Sequence, residues 1–418
     1  MKPIVTIILA AGKGTRMKSE RPKVLHKVCG RPIIHYVLDI AEAAGSLKTI
    51  AVLGYKSEEV KAQLPKGCLT VIQKKLLGTA DAVRSALPGL GGFRGDILIL
   101  SGDTPLLDKT VLRALIARHR KTKAACTFLT SVVPDPYGYG RIIRDDKGMA
   151  VAIREDKDAT GLQKEIAEIN VGLYCIDAFE LEQGLKQVKL NKKKKEFYLT
   201  DLIEYLSQQG KKVQTIETKE CEEGLGINTR EDLAFAEGVI RKRNLKYFMS
   251  QGVTIADPST TYIERSVKIG QDTIIRPFTF IEGDVSVGKN CVIGPFARLR
   301  AGTKIKDGVE IGNFTEVSRS KVGRKTLMKH FSFLGDALVG DNVNIGAGTI
   351  TANFDGVNKN ITHIGSGAFI GSDTVLIAPV KIGKKAVVGA GSVVPRGKNI
   401  PDGRVAYGVP AKIIVKNA

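Results

Sequence analysis

Residues 263–317 read IERSVKIGQDTIIRPFTFIEGDVSVGKNCVIGPFARLRAGTKIKDGVEIGNFTEV, with a branched aliphatic at every sixth position: Ile263, Ile269, Ile275, Ile281, Val287, Ile293, Leu299, Ile305, Ile311 and Val317. A period of six matches neither the 3.6-residue turn of an α-helix nor the two-residue alternation of a strand. It fits a prism whose coils each contain three short strands, with six residues per side and one aliphatic directed inward. The spacing is interrupted once and returns at Ile364, Ile370, Leu376, Ile382, Val388 and Val394. Glycine often follows the aliphatic, as at Ile269-Gly270, Ile311-Gly312, Ile370-Gly371 and Ile382-Gly383, where a missing Cβ helps the chain turn a corner. Residues 251–418 are therefore expected to form a left-handed parallel β-helix of hexapeptide repeats. Periodicity alone leaves open whether such a solenoid catalyses or only assembles.

The chain has 418 residues, too many for one ordinary core, and its composition changes near residue 250. We expect a first domain over residues 1–229, a charged helix over 230–250, and the β-helix over 251–418. Hydrophobic content of 43% and charged content of 26% are those of a globular protein. No apolar run reaches the roughly 18 to 20 residues of a membrane span. The apolar stretch Pro3 to Ala11 runs into Gly12, Lys13 and Gly14 without the cleavage region of a signal peptide. No membrane insertion and a cytoplasmic location are the expectations. Six cysteines without CxxC spacing and five histidines do not form a recognisable zinc cluster. The net charge of +21 suits nucleic acid, an anionic membrane or acidic small substrates. The densest basic run, Lys192 to Lys195, lacks interleaved aromatics, so it reads as a solvated loop and no nucleic-acid partner is expected.

Residues 3 to 228 alternate strand-like runs, Ile4 to Leu9, Ile50 to Gly54, Leu69 to Gln73 and Ile97 to Leu100, with helical stretches such as His35 to Ala44. That pattern implies an α/β domain, Rossmann-like, with a mostly parallel sheet. Ligands in such sheets bind beyond the carboxyl ends of strands. The first loop there is Leu9-Ala10-Ala11-Gly12-Lys13-Gly14-Thr15-Arg16-Met17, followed by Pro22-Lys23-Val24-Leu25. Small residues let backbone N–H groups approach a phosphate while Lys13, Arg16 and Lys23 balance its charge. Neither GxxxxGK[ST] nor GxGxxG is satisfied.

The string LAAGKGTRM with PKVL resembles the sugar-nucleotidyltransferase family. Further pieces follow in order: Gln73 with Gly78-Thr79, Ser101-Gly102-Asp103-Thr104-Pro105-Leu106, Gly138-Tyr139-Gly140-Arg141, Glu155 with Lys157, Glu168 to Gly172, Tyr198 to Asp201, and Gly226-Ile227-Asn228. The resemblance implies in-line attack of a sugar-1-phosphate on the α-phosphorus of UTP, with pyrophosphate leaving and no protein nucleophile. It places Leu9, Ala10, Ala11, Gly12, Gly14, Lys23, Gln73, Gly78 and Thr79 on the nucleotide. Ser101, Asp103, Gly140, Glu155, Asn170 and Asn228 fall on the sugar, and Asp103 and Asn228 on Mg²⁺. Arg16 and Lys23 are the catalytic cations. The chain departs from the family pattern at Leu76, Ala80 and Asp81, where the resemblance leads us to expect Gln, Gly and His.

Beyond Arg230 to Met249, which reads as a long charged helix, the whole chain resembles the bifunctional bacterial family of N-acetylglucosamine-1-phosphate uridylyltransferases and glucosamine-1-phosphate acetyltransferases. The landmarks are Gly294-Pro295-Phe296-Ala297-Arg298-Leu299-Arg300, Gly312 to Glu316, His330, Leu334-Gly335-Asp336, Asp341 to Thr349, the hexad-breaking Asn353 to Lys359, and Gly371 to Thr374. Amine acetylation needs a base near neutrality, and histidine suits it; His330 is the candidate, with Glu316 orienting its imidazole. By resemblance Arg300, Glu316, Asn344, Asn353 and Lys359 hold the sugar phosphate, and Asn353, Phe354, Ser372, Ala390 and Tyr407 hold acetyl-CoA. The resemblance implies a homotrimer. Ser318, Phe333 and Tyr407 stand where it leads us to expect Lys, Tyr and Arg, and Arg319 is expected to restore part of the lost charge. The alternative is a single-activity sugar-1-phosphate nucleotidyltransferase whose β-helix is structural or acylates another amino sugar.

Overall fold

Ile4–Ala10 has the sequence IVTIILA with all but Leu9 buried, as a strand covered on both faces requires. It is β1, the middle of a sheet in the first of two compact units, Met1–Glu237 and Gly238–Ala418; the computed structural model describes residues 2–414. Along the chain follow α1 (Ile33–Ala43), β2 (Lys48–Leu53), β3 (Leu69–Ile72), α2 (Thr79–Ala86), β4 (Asp96–Ser101), α3 (Lys109–Thr122) and β5 (Cys126–Val132). Then come the ribbon β6 (Arg141–Arg144) and β7 (Ala150–Arg154), β8 (Glu168–Asp177), β9 (Val213–Glu217) and helix α4 (Arg230–Ser250). The sheet order is β9-β5-β8-β4-β1-β2-β3, with the β6–β7 ribbon alongside β8. Only β8 and the ribbon run antiparallel.

Alternation along β1 and β4 builds a core on each face. Val5, Ile7, Ile97 and Ile99 join Phe128 and Tyr174 on one side. Ile8, Leu98 and Leu100 pack with Ile34 and Val37 of α1 and Leu112 and Leu115 of α3 on the other. The chain leaves β1 for β2 and β3 on one flank and returns as β4 on the other. The crevice at the carboxyl ends of β1 and β4 is therefore the topological switch point where such sheets take ligands.

The second unit is a left-handed parallel β-helix of three stacked sheets with ten, eight and seven strands. Its inward column includes the hexad residues named above, with Ile275, Ile293, Leu299 and Val317 fully buried. Ile275 pairs with Ile293 and Ile293 with Ile311, one coil apart. The corner glycines are needed by stacking: a Cβ on Gly312 would lie 1.7 Å from the Lys329 carbonyl oxygen. Leu245 and Phe248 of α4 close one end of this core.

The interruption of the hexad resolves into three changes at one corner. Two sides are a residue short, Val317 to Val322 and Leu334 to Val339, and because both shortenings fall in successive coils the register Val322↔Val339 survives. In the next coil the same corner carries the loop 353–361, before pairing resumes at Thr362 and Ile364.

Candidate active sites

In the first unit, Leu9 stands opposite Ser101, which brings the loop after β1 beside the loop after β4. Gly102 donates its N–H to the Leu9 carbonyl at 2.9 Å, and a Cβ there would lie 2.8 Å from that oxygen. Gly14 has φ 62° and presses against Lys23, whose Cβ would be 2.7 Å from a Gly14 Cβ; both constraints make glycine necessary. Gly12 faces open space, Ala10 and Ala11 are buried beneath the loop, and Arg16 is exposed at its end. The Lys23 ammonium sits between the Asp103 carboxylate, in a short contact, and Asn228 Oδ1 at 3.1 Å. The three residues come from three distant stretches of chain.

The residues expected to meet the nucleotide base lie in the 73–81 segment. Gln73 is buried and donates through Nε2 to the Gly78 carbonyl at 3.0 Å and to Asp81 Oδ2 at 2.8 Å, so Asp81 anchors the Gln73 amide. Gly78 has φ 99°, and a Cβ would strike the Phe197 carbonyl oxygen at 2.5 Å. Thr79 Oγ1 accepts from the Leu199 N–H at 2.9 Å. Leu76 packs over Gly54, whose neighbour Tyr55 donates to the Ala11 carbonyl, tying this segment to the phosphate loop.

Among the residues expected to meet the sugar, Asn170 N–H donates to the Gly140 carbonyl at 2.8 Å and Asn170 Nδ2 to the buried Tyr174 hydroxyl at 2.6 Å. Ser101 Oγ would be 2.6 Å from a Cβ on Gly172, φ 82°. Glu155 accepts from the Thr200 hydroxyl at 2.8 Å, and burial raises its carboxyl above the usual range. It lines a cavity of about 400 Å³ with Asp158, Tyr198 and Asp201; burial pushes Asp201 up to about 6. Sequence reasoning missed Tyr174 and Asp232. Asp232 Oδ2 accepts both the Asn228 and Thr229 N–H groups at 2.8 Å, and its place in the first turn of a long helix was the only available hint.

In the second unit the candidates gather on two edges of the prism. One edge is a stack of turns. Gly348 N–H donates to the Phe331 carbonyl, Asp373 to Ala347 and Gly391 to Ser372, and Gly389 packs on Tyr407 Cβ. His330, Ser372, Ala390 and Tyr407 therefore follow one another along it, with Asn344 on the strand leading in. The other edge holds Arg300, Ser318, Arg319, Asp336 and the 353–361 loop. Between the edges runs the face carrying Glu316 and Phe333, which are directly paired.

Two expectations are corrected here. Glu316 accepts from Arg300 Nη1 at 3.0 Å, and among the described residues no hydrogen bond reaches the His330 imidazole; the register puts Glu316 on the face and His330 in the turn before it. Arg319 does not offer a free charge: its guanidinium forks onto Asp336 at 2.7 and 2.8 Å and touches Ser318 Oγ at 2.8 Å. That contact holds the Asp336 carboxyl below its ordinary range. Asn353, nearly buried, donates to the same carboxylate. The loop beyond it is braced by Asp355, which accepts from Val357 N–H, Asn358 N–H and Asn360 Nδ2, and leaves Phe354 and Lys359 exposed.

The family model for a MobA-like NTP transferase domain matches residues 6–164. The model for bacterial transferase hexapeptide repeats matches 266–301, 284–319 and 361–396. A protein of Geobacillus sp. (strain WCH70) named "Bifunctional protein GlmU" is 44% identical, over 93% of this chain and 92% of its own. One of the same name from Carboxydothermus hydrogenoformans is 42% identical over 96% of each chain. The chain belongs to the GlmU family. The NTP-transferase match lies within the first unit and the hexapeptide matches within the second, and each unit carries its own cluster of polar side chains.

Proposed function

We propose that this GlmU-family chain makes UDP-N-acetylglucosamine in two steps: acetyl-CoA-dependent N-acetylation of glucosamine-1-phosphate on the β-helix, then uridylyl transfer from UTP to N-acetylglucosamine-1-phosphate in the α/β unit. The observation that carries this reading is the convergence of Lys23, Asp103 and Asn228 at the switch point. Asp103 and Asn228 fit Mg²⁺, since both are hard oxygen donors already aimed at one cation, the Lys23 ammonium. Bound there, Mg²⁺ would neutralise charge shared between the nucleotide and the departing pyrophosphate.

The chain's own residues do the rest by positioning. The N–H groups around Gly12 and Gly14 face the triphosphate. Arg16 and Lys23 stabilise charge as the sugar phosphate oxygen attacks the α-phosphorus and the bond to pyrophosphate breaks. Glu155, Asn170 and Gly140 fix the sugar. In the second unit His330 takes the ammonium proton, the freed amine attacks the thioester carbonyl, and CoA leaves as the thiol. Ser372, Ala390 and Tyr407 extend along the edge from His330, as a long pantetheine arm requires.

A homotrimer in the cytoplasm completes the reading. Phe278, Phe296 and Phe314 stack at 4.8 and 5.0 Å along one corner yet are 46%, 44% and 63% exposed. They hold positive φ of 56°, 54° and 51°, a costly conformation for bulky residues. Such an apolar ladder supports burial against further copies of the chain. No helix of the described residues is long and apolar enough to cross a membrane.

The test is incubation with UTP, glucosamine-1-phosphate, acetyl-CoA and Mg²⁺, following free CoA and pyrophosphate separately. Asp103→Ala should abolish pyrophosphate release and leave CoA release near normal. His330→Ala should lower CoA release by about 10²-fold or more, the usual scale for a lost general base, without affecting uridylyl transfer from supplied N-acetylglucosamine-1-phosphate. A chain that releases pyrophosphate from that acceptor but never CoA would be a single-activity nucleotidyltransferase with a structural β-helix.

A further inference from the structure

At the opposite end of β4 from Asp103, three side chains that the uridylyl chemistry does not use converge beneath α3. Asp96 opens β4, His119 lies in the last turn of α3, and Cys175 lies on β8; all three are buried. One ligand atom from each lies within 4.8 Å of the others. His119 and Asp96 are each held by one polar atom and offer the other. His119 Nδ1 is 3.1 Å from Thr127 Oγ1, and with Nδ1 donating there, Nε2 keeps the free lone pair. Asp96 Oδ2 accepts from Arg120 Nε at 3.2 Å, while Asp96 Oδ1 is buried without a hydrogen-bond partner. His119 Nε2 and Asp96 Oδ1 stand 3.6 Å apart, too far for a good hydrogen bond. The spacing is close to the roughly 3.3 Å edge expected of a tetrahedron whose zinc bonds are about 2.0 Å. Cys175 sits directly opposite Thr127 on the neighbouring strand, so the residue that orients the histidine also borders the thiol.

We propose that Asp96, His119 and Cys175 form a three-donor site for a borderline transition-metal ion of the Zn²⁺ class. An imidazole, a thiolate and a carboxylate are the donor set that zinc accepts and Mg²⁺ does not. On binding, the Cys175 thiol gives up its proton to solvent and the sulfur–metal bond forms without any change of oxidation state. Thiolate and carboxylate bring two negative charges to the dication, the carboxylate sharing its charge with Arg120. The cations nearest the site are already committed: Arg120 to the outer oxygen of Asp96 and Lys2 to Asp177 at 3.0 Å. The outer contacts from Thr127 and Arg120 are the partners that orient ligands in metal sites. The ion would pin the end of α3 to the start of the strand that presents Asp103.

The test is metal analysis of the full chain expressed with added zinc and purified without chelator, beside Cys175→Ser, His119→Gln and, as a control for the Mg²⁺ site, Asp103→Ala. We expect zinc stoichiometric with the chain in the wild type and in Asp103→Ala, and lost from the other two. Zinc-free wild type, or zinc unchanged by Cys175→Ser and His119→Gln, overturns the proposal. Should those two variants fail to fold, Co²⁺ loaded into the wild type decides. A sulfur-to-cobalt charge-transfer band supports the site, and a spectrum showing no thiolate ligation overturns it.

Discussion

In the first unit the Lys23 ammonium lies between Asp103 and Asn228, the two residues proposed to hold Mg²⁺. On that proposal Mg²⁺ and the ammonium would compete for the same oxygens, and Lys23 would then be free to reach phosphate. Lys23→Met should therefore bind Mn²⁺ about tenfold more tightly without nucleotide, as expected for loss of roughly 1.4 kcal/mol of competition, while uridylyl turnover collapses. Calorimetric Mn²⁺ titration checks it; weaker Mn²⁺ binding would show that Lys23 supports the metal. On the β-helix the two arginines expected near the sugar phosphate are already paired, Arg300 with Glu316 and Arg319 with Asp336. Lys359, exposed on the inserted loop, has no ion pair among the described residues. Charge-assisted phosphate contacts are worth roughly 1.5 to 3 kcal/mol, so Lys359→Ala should raise the KM for glucosamine-1-phosphate about 10- to 100-fold. Arg319→Ala should raise it less, and neither should move the KM for acetyl-CoA. Steady-state kinetics with each substrate varied separates the two. Ser318 marked a missing cation in the sequence, but only the fork onto Asp336 revealed that its neighbour does not replace it.

Among the elements, stacked turns are what place His330. The coil carrying Gly312 lies so close to the Lys329 carbonyl that a methyl group forces the His330 turn outward. Gly312→Ala is thus expected to cost about 2 kcal/mol or more, as overpacking does, lowering the β-helix melting temperature by several degrees. It should also cut acetyl transfer while leaving uridylyl transfer unchanged; calorimetry and the two-product assay report both. The regular coils were legible because inward aliphatics repeat at a fixed interval. The irregular corner was visible only as a break. That two shortened sides and one insertion fall on the same edge, and so collect Arg319, Asp336 and Asn353, depends on how coils stack, which no local pattern encodes.

For the whole molecule, the start of the charged helix α4 is tied by hydrogen bonds to the first candidate site. Arg230 donates to the Met17 carbonyl at 3.2 Å, Asp232 holds Asn228, and Glu237 accepts the Cys29 N–H at 2.6 Å. A fragment ending at residue 229 should lose at least about tenfold in uridylyl activity, the scale of one or two lost hydrogen bonds to a positioned ligand. A fragment ending at 237 should retain activity and be monomeric by light scattering, because the exposed phenylalanine ladder lies beyond it. Equal activity of the two fragments would remove the helix from the site. The sequence by itself determined the two modules and the prism with its inward column, because short-range steric and hydrophobic rules act on neighbouring residues, while the phosphate loop and His330 were singled out by family resemblance. Tertiary structure alone decided which distant groups meet: Lys23 with Asn228, Gln73 with Asp81, Arg300 rather than His330 with Glu316. Those contacts join strands and coils far apart in the chain, and their partners are chosen by sheet order and stacking register.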